Sequence, residues 1–214
     1  MASKKQVLIL LLPLLTLSSI IKPSHANDRL TNANSGKVAV YWGQKSESGE
    51  GNLTTTCDSD LYNIVALAYL HVYGNSTTLV LSNHCPSGDC KALASEIQHC
   101  QNKGIQVFLS LEIDAIDDPN SLGSYLYDEF LSGESESGLL GPVALDGIDL
   151  ANLDQSTESW VDLVKAINGS TQERKIYISG APRCELTNFD SAIATGLVDY
   201  LFVYTMANTR RANI

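Results

Sequence analysis

The chain has 214 residues, 44% of them hydrophobic and 18% charged, and 14 Lys and Arg stand against 24 Asp and Glu for a net charge of −10. So acidic a chain is a poor match for nucleic acid or an anionic membrane, which excludes both as expected partners. The charge is silent about a neutral polysaccharide, which stays open as a ligand.

The first 26 residues read as a secretory signal peptide: Lys4 and Lys5 form a basic start, 7–17 an apolar stretch broken by Pro13 and Thr16, and Ser24-His25-Ala26 a small-x-small cleavage site. Cleavage there removes Lys4, Lys5 and Lys22 and no acid, so the mature chain is more acidic still. No later segment approaches the roughly 20 apolar residues of a membrane span. Residues 27–35 are polar and read as a flexible start.

From residue 36 onward, short apolar runs alternate with longer mixed segments. Strands are expected at 37–42, 62–70, 105–111, 143–150, 175–180 and 200–206. They are near-continuous apolar runs, as parallel strands covered on both faces require. Helical spacing fills the gaps: Leu93, Ile97 and Cys100 share a face in 91–102, Leu122, Tyr125, Leu126 and Phe130 in 121–131, and Trp160, Leu163, Val164 and Ile167 in 158–167. A short helix over 190–195 ends at Gly196. The alternation predicts one parallel α/β domain over 36–214. Six strands make an incomplete (β/α)8 barrel, since a complete one takes about 250 residues. The shortfall falls at the C-terminus, where 207–214 shows neither strand nor helix, and a truncated barrel is favoured over a smaller open sheet.

Five cysteines in a secreted chain imply disulfides. Cys85 and Cys90 enclose Pro86-Ser87-Gly88-Asp89, a turn-rich loop suited to a small bridge, while Cys57 and Cys100 flank it and could form an outer one. Cys184 is left over. No C-x-x-C or close His/Cys set points to a metal, and no cofactor is expected. Asn52-Leu53-Thr54, Asn75-Ser76-Thr77 and Asn168-Gly169-Ser170 are N-glycosylation sequons. His71, His84 and His99 have no Ser or Cys partner pattern and read as surface or structural residues. Glu134 and Glu136 read as solvated, and Arg210-Arg211 is too short for a nucleic-acid patch.

The most informative stretch is Leu145-Asp146-Gly147-Ile148-Asp149-Leu150-Ala151-Asn152-Leu153, where a barrel strand delivers side chains to its C-terminal mouth. Together with Val38-Ala39-Val40-Tyr41-Trp42-Gly43-Gln44, Thr56-Cys57, Asn83-His84-Cys85, Cys100 to Val107 and Ala181-Pro182-Arg183-Cys184, it resembles the plant class III chitinases of glycoside hydrolase family 18 and their inactive xylanase-inhibitor and lectin-like relatives. The resemblance runs from about Gly36 to Met206 and implies a barrel fold, the nested pairing Cys57–Cys100 and Cys85–Cys90, and an extracellular, apoplastic setting. It places Tyr41, Gln44 and Tyr69 where the family contacts sugar.

The family strand ends D-x-D-x-E, with the Glu as general acid and the preceding Asp orienting the sugar's acetamido group, whose oxygen is the nucleophile. Here those positions are Leu153 and Ala151, and the family's strand-six Tyr aligns with Met206. The third strand's glycines are replaced by Glu112-Ile113-Asp114, which narrows the cleft, and the family partner of Cys184 falls near Arg211. Asp146 and Asp149 either support a sugar site or are inert interior polarity, and the loss of their catalytic neighbours favours the second reading. Asp154 would reach the acid's place only through a strand-end bulge.

The expectation is therefore a secreted, catalytically inactive chitinase-like protein. Its partner is chitin or a related oligosaccharide, or a microbial glycosidase such as a xylanase. A residual chitinase and a non-functional truncated product are the alternatives.

Overall fold

The computed structural model describes residues 36–45, 47–81, 84–85, 89–151, 157–170, 174–182 and 189–203. The chain separates into a unit 1–36, of which Gly36 alone is described, and a unit 37–214 that holds every element below. Leu153, Asp154, Cys184, Met206, Arg210 and Arg211 lie outside the described residues, as does the segment read as a signal peptide.

Six parallel strands form one sheet in the order β1 (Ala39–Trp42), β2 (Ile64–Tyr73), β4 (Gln106–Ala115), β5 (Gly147–Leu150), β6 (Tyr177–Gly180) and β7 (Tyr200–Leu201). A seventh strand, β3 (Ser76–Leu79), runs antiparallel to β2 as a hairpin. The helices are α1 (Glu47–Glu50), α2 (Leu53–Asp58), α3 (Leu93–Asn102), α4 (Pro119–Leu126), α5 (Thr157–Gly169) and α6 (Asp190–Ala194). The sheet is a half-barrel. Its curl is visible in contacts that join the first and last strands through the residues flanking them: the Lys37 ammonium, just before β1, donates to the Tyr200 hydroxyl at 2.8 Å, and the Tyr41 ring meets that of Phe202, just after β7, edge-on at 6.4 Å.

Register sorts the side chains into two layers. On the convex face, Val65, Leu67, Val107, Leu109, Leu111, Ile148, Leu150 and Ile178 are buried beneath the helices, against Ile97, Leu126, Phe130, Trp160, Leu163 and Val164. On the concave face a smaller cluster gathers Ile64, Ala66 and Phe108 with Tyr41, Tyr177, Tyr200 and Phe202. Gly147 belongs to this inner row, between Phe108 and Tyr177. A Cβ there would collide with the Tyr177 carbonyl oxygen and approach the Phe108 ring at 3.0 Å, so the strand tolerates no side chain at that point.

Several elements depart from the sequence reading. Strands β2 and β4 run on to Tyr73 and Ala115 because their upper halves alternate: Leu70, Val72, Leu111 and Ile113 are buried, with polar residues between. A reading tuned to continuous apolar runs stops at Leu70 and Leu111. Strand β5 starts at Gly147, later than expected, since Leu145 instead donates to the Phe130 carbonyl in the approach. The helix expected over 121–131 is α4 followed by a π-helical turn, Tyr127–Leu131. It begins earlier, where Asp118 accepts from the Asn120 and Ser121 amides and Pro119 occupies the first turn. Helix α2 is capped by Asn52, which accepts from the Thr55 amide at 2.8 Å. The expected disulfides form: Cys57–Cys100 ties α2 to α3 with Cα atoms 5.4 Å apart, and Cys85–Cys90 closes the short loop at 4.8 Å.

Candidate functional site

The concave end of the half-barrel is organised around one carboxylate. Register places Ser110, Asp149 and Ser179 side by side on β4, β5 and β6. Asp149 is 0% exposed, and three hydroxyls converge on it. Ser179 donates to Oδ1 at 2.7 Å, and Tyr41 and Ser110 donate to Oδ2 at 2.8 and 3.1 Å. Burial pushes the Asp149 carboxyl above the usual carboxylate range, while the hydroxyls of Ser179, Tyr41 and Ser110 pull it back. Beyond Leu150 the strand ends on half-buried Ala151, whose amide donates to the Leu111 carbonyl at 3.2 Å.

The structure brings Tyr41 and Asp149 together and leaves Asp146 apart. Asp146 precedes β5, at the opposite end from Ala151. It accepts from the Val107 amide at 2.8 Å and from Gln101 Nε2 at 3.0 Å, and its own amide donates to the Val107 carbonyl. It locks β4 to β5 and caps the barrel's lower end. Tyr69, half-buried on β2, bonds to Glu112 on β4, and this bond with partial burial raises its phenol. Alongside, His71 Nε2 meets Asp114 at 2.8 Å. Glu112 and Asp114 thus hold the side chains of Tyr69 and His71 across β2 and β4.

Gln44 is exposed just beyond β1, on a loop held from behind. Glu50 Oε1 accepts from the Gly43 amide at 2.9 Å, the Lys45 amide at 3.0 Å and His84 Nε2 at 2.9 Å. His84 Nε2 also lies 2.7 Å from the Lys45 carbonyl, which only accepts, so this nitrogen carries the proton. The His84 side chain is 4% exposed and packs on the Trp42 ring at 4.1 Å. His99 pairs with Asp58 at 2.8 Å, so each described histidine has a carboxylate partner that sequence spacing does not reveal. Ser110 and Ser179 were missed too, although each is a lone polar residue within an apolar run at the level of Asp149.

Among the described residues no group of His, Cys, Asp and Glu has the arrangement of a metal site, and no helix is long and apolar enough to cross a membrane. The sequon asparagines Asn52 and Asn168 are exposed in helical settings, at the α2 cap and within α5, whereas Asn75 is exposed at the tip of the β2–β3 hairpin.

No family model matches the chain. Acidic endochitinase SE2 of Beta vulgaris is 36% identical over 216 residues, covering 95% of this chain and 70% of its own length. An acidic endochitinase of Nicotiana tabacum is 37% identical over 188 residues, covering 82% of this chain; the match spans 64% of that relative, so about two thirds of these proteins' length is represented here. Among solved structures, a tamarind chitinase-like lectin is 37% identical with a TM-score of 0.68, covering 81% of this chain and 69% of that one. The xylanase and α-amylase inhibitor protein XAIP-II of Scadoxus multiflorus is 30% identical with a TM-score of 0.69, covering 81% of this chain and 67% of that one. Sequence identity to acidic endochitinases across most of the chain, with a half-barrel shared with a chitinase-like lectin and a xylanase and α-amylase inhibitor protein, shows that the chain belongs to the plant chitinase-like proteins of glycoside hydrolase family 18.

Proposed function

We propose that this protein is a secreted, non-hydrolytic chitinase-like binder whose partner is a chitin-type oligosaccharide or a microbial glycoside hydrolase such as a xylanase. One observation carries the reading. Where the family's proton-transferring strand should end in acids, β5 ends on the methyl group of Ala151, and the nearest carboxylate among the described residues, Asp149, is sealed at 0% exposure with both oxygens occupied. A general acid must reach the leaving oxygen within hydrogen-bond distance, directly or through one water. Asp149 is bonded instead to the barrel's own hydroxyls. Tyr41, with its hydroxyl on Asp149, shapes the floor; Gln44 and Tyr69 stand at the rim as sugar contacts. Asp146 takes a supporting role.

The test is calorimetric titration with a tetramer of β-1,4-linked N-acetylglucosamine, with reducing ends assayed in parallel and xylanase inhibition measured on the same preparation. Sugar binding without turnover supports the lectin-like form, and xylanase inhibition the inhibitor form. Sustained hydrolysis, or silence in both binding assays, would overturn the proposal.

A second reading, residual chitinase activity, draws on the endochitinase names of the relatives. It needs Asp149 or Asp154 as proton donor, so activity unchanged by both Asp149→Asn and Asp154→Asn would remove it.

A further inference from the structure

The β2–β3 hairpin turns on Gly74 and Asn75, with Tyr73 paired to Ser76. Gly74 takes φ 59° at the first central position, where a two-residue II′ turn demands glycine, and a Cβ there would also meet Asp117 Oδ2 at 2.8 Å. The turn therefore presents Asn75, exposed, at the tip of the hairpin. Beneath it lies a cavity of about 290 Å³ between the hairpin and the first turns of α4, lined by Asn75, Thr77, Asp118, Ser121, Leu122 and Tyr125. Its composition is mixed in a specific way. The Tyr125 ring and Leu122 supply an apolar floor, and Asn75, Thr77, Asp118 and Ser121 supply a polar wall. The floor is rigid: Tyr125 bonds to the Thr77 hydroxyl at 3.0 Å and meets Phe130 edge-on at 6.0 Å. An aromatic face with convergent polar groups, in a space near the small end of ligand pockets, suits one pyranose ring. Asn75 is itself one wall and opens the sequon Asn75-Ser76-Thr77.

We propose that Asn75 carries an N-linked glycan and that its first N-acetylglucosamine occupies this cavity, against Tyr125. In the transfer, Asn75 Nδ2 loses a proton and bonds to the anomeric carbon of an oligosaccharide carried on a lipid diphosphate. The bond from that carbon to the diphosphate oxygen breaks, and the lipid diphosphate departs. The inference rests on the secretory part of the proposed function, but its readouts need neither a sugar ligand nor hydrolysis, so the two fail separately.

The full chain is expressed in a eukaryotic secretory host and recovered from medium and cell interior alike, and the peptide containing Asn75 is analysed by mass spectrometry. A hexosamine-bearing Asn75 is expected. Unmodified Asn75 in chain that has entered the secretory pathway would overturn the proposal. The seat is tested by trimming every glycan to one N-acetylglucosamine with an endoglycosidase and comparing Tm with that of Asn75→Gln, trimmed alike. The sugar should raise Tm, and the increment should vanish in Tyr125→Ala and in the cavity-filling Ser121→Tyr, each with Asn75 still modified. An increment that survives both substitutions would place the sugar elsewhere and defeat the inference.

Discussion

The two disulfides close loops of very different length, which makes their separate removal a quantitative test of what holds the half-barrel together. Cys57 and Cys100 are 43 residues apart in sequence, and Cys85 and Cys90 are 5 apart. If a cross-link acts by restricting the unfolded chain, the loop-entropy relation gives about 4 kcal/mol for the long loop and about 2 kcal/mol for the short one. For a chain of this size each kcal/mol corresponds to about 2–4 °C in Tm, so Cys57→Ala with Cys100→Ala should lower Tm by about 8–16 °C and Cys85→Ala with Cys90→Ala by about half as much. Cys57, Cys100 and Cys90 are buried, so lost packing adds to both figures without reversing their order. Thermal unfolding by circular dichroism reads the shifts, with urea titration to check that m reports the unfolded-state change. Equal losses, or a larger loss from the short loop, would refute the chain-entropy account and locate the stabilisation in native contacts.

Asp149→Asn should flatten the pH dependence of stability. Burial raises this carboxyl in the folded state, so its contribution is complete below the unfolded carboxylate range and is lost as pH climbs through the raised value; urea midpoints across that range that move equally in parent and variant would contradict this. Asn52→Ala should cost about 1 kcal/mol in unglycosylated protein by removing the α2 cap, whereas Asn52→Asp, which keeps an acceptor for the Thr55 amide, should be near neutral. Equal urea midpoints for the two variants would show that the cap is idle. The Trp160 indole N–H is buried without a partner among the described residues. Trp160→Phe should therefore cost less than the ~3 kcal/mol typical of a large core truncation, because an unsatisfied donor is removed with the lost volume; a larger loss in urea unfolding would mean the N–H is satisfied.

The parallel strands were legible because burial on both faces writes itself as apolar runs, and the helices because Leu163, Val164 and Ile167 repeat at helical spacing. The hairpin strand β3 was not, since Ser76, Thr77 and Thr78 carry no apolar signal and are ordered by the turn at Gly74. The same distinction separates the parts of the site. Asp149 announced itself by its place in a strand, yet its partners come from β1, β4 and β6, up to 108 residues away. The pairing of Glu50 with His84 spans 34 residues and rests on the end of α1 meeting the segment that follows β3, for which no local pattern exists. Asp146 shows the converse: its motif position pointed to the mouth, while its backbone register commits it to the barrel's lower end.

The Glu50 node bears on how this protein would recognise anything at its rim. A surface loop ordinarily forfeits freedom when a ligand settles on it, and that loss subtracts from affinity. Here one carboxylate has already fastened the backbone on both sides of Gln44, with His84 and Trp42 stacked behind it. A partner landing on this segment meets a surface whose ordering was completed during folding, so complexes formed there should be distinguished by slow departure rather than by induced rearrangement.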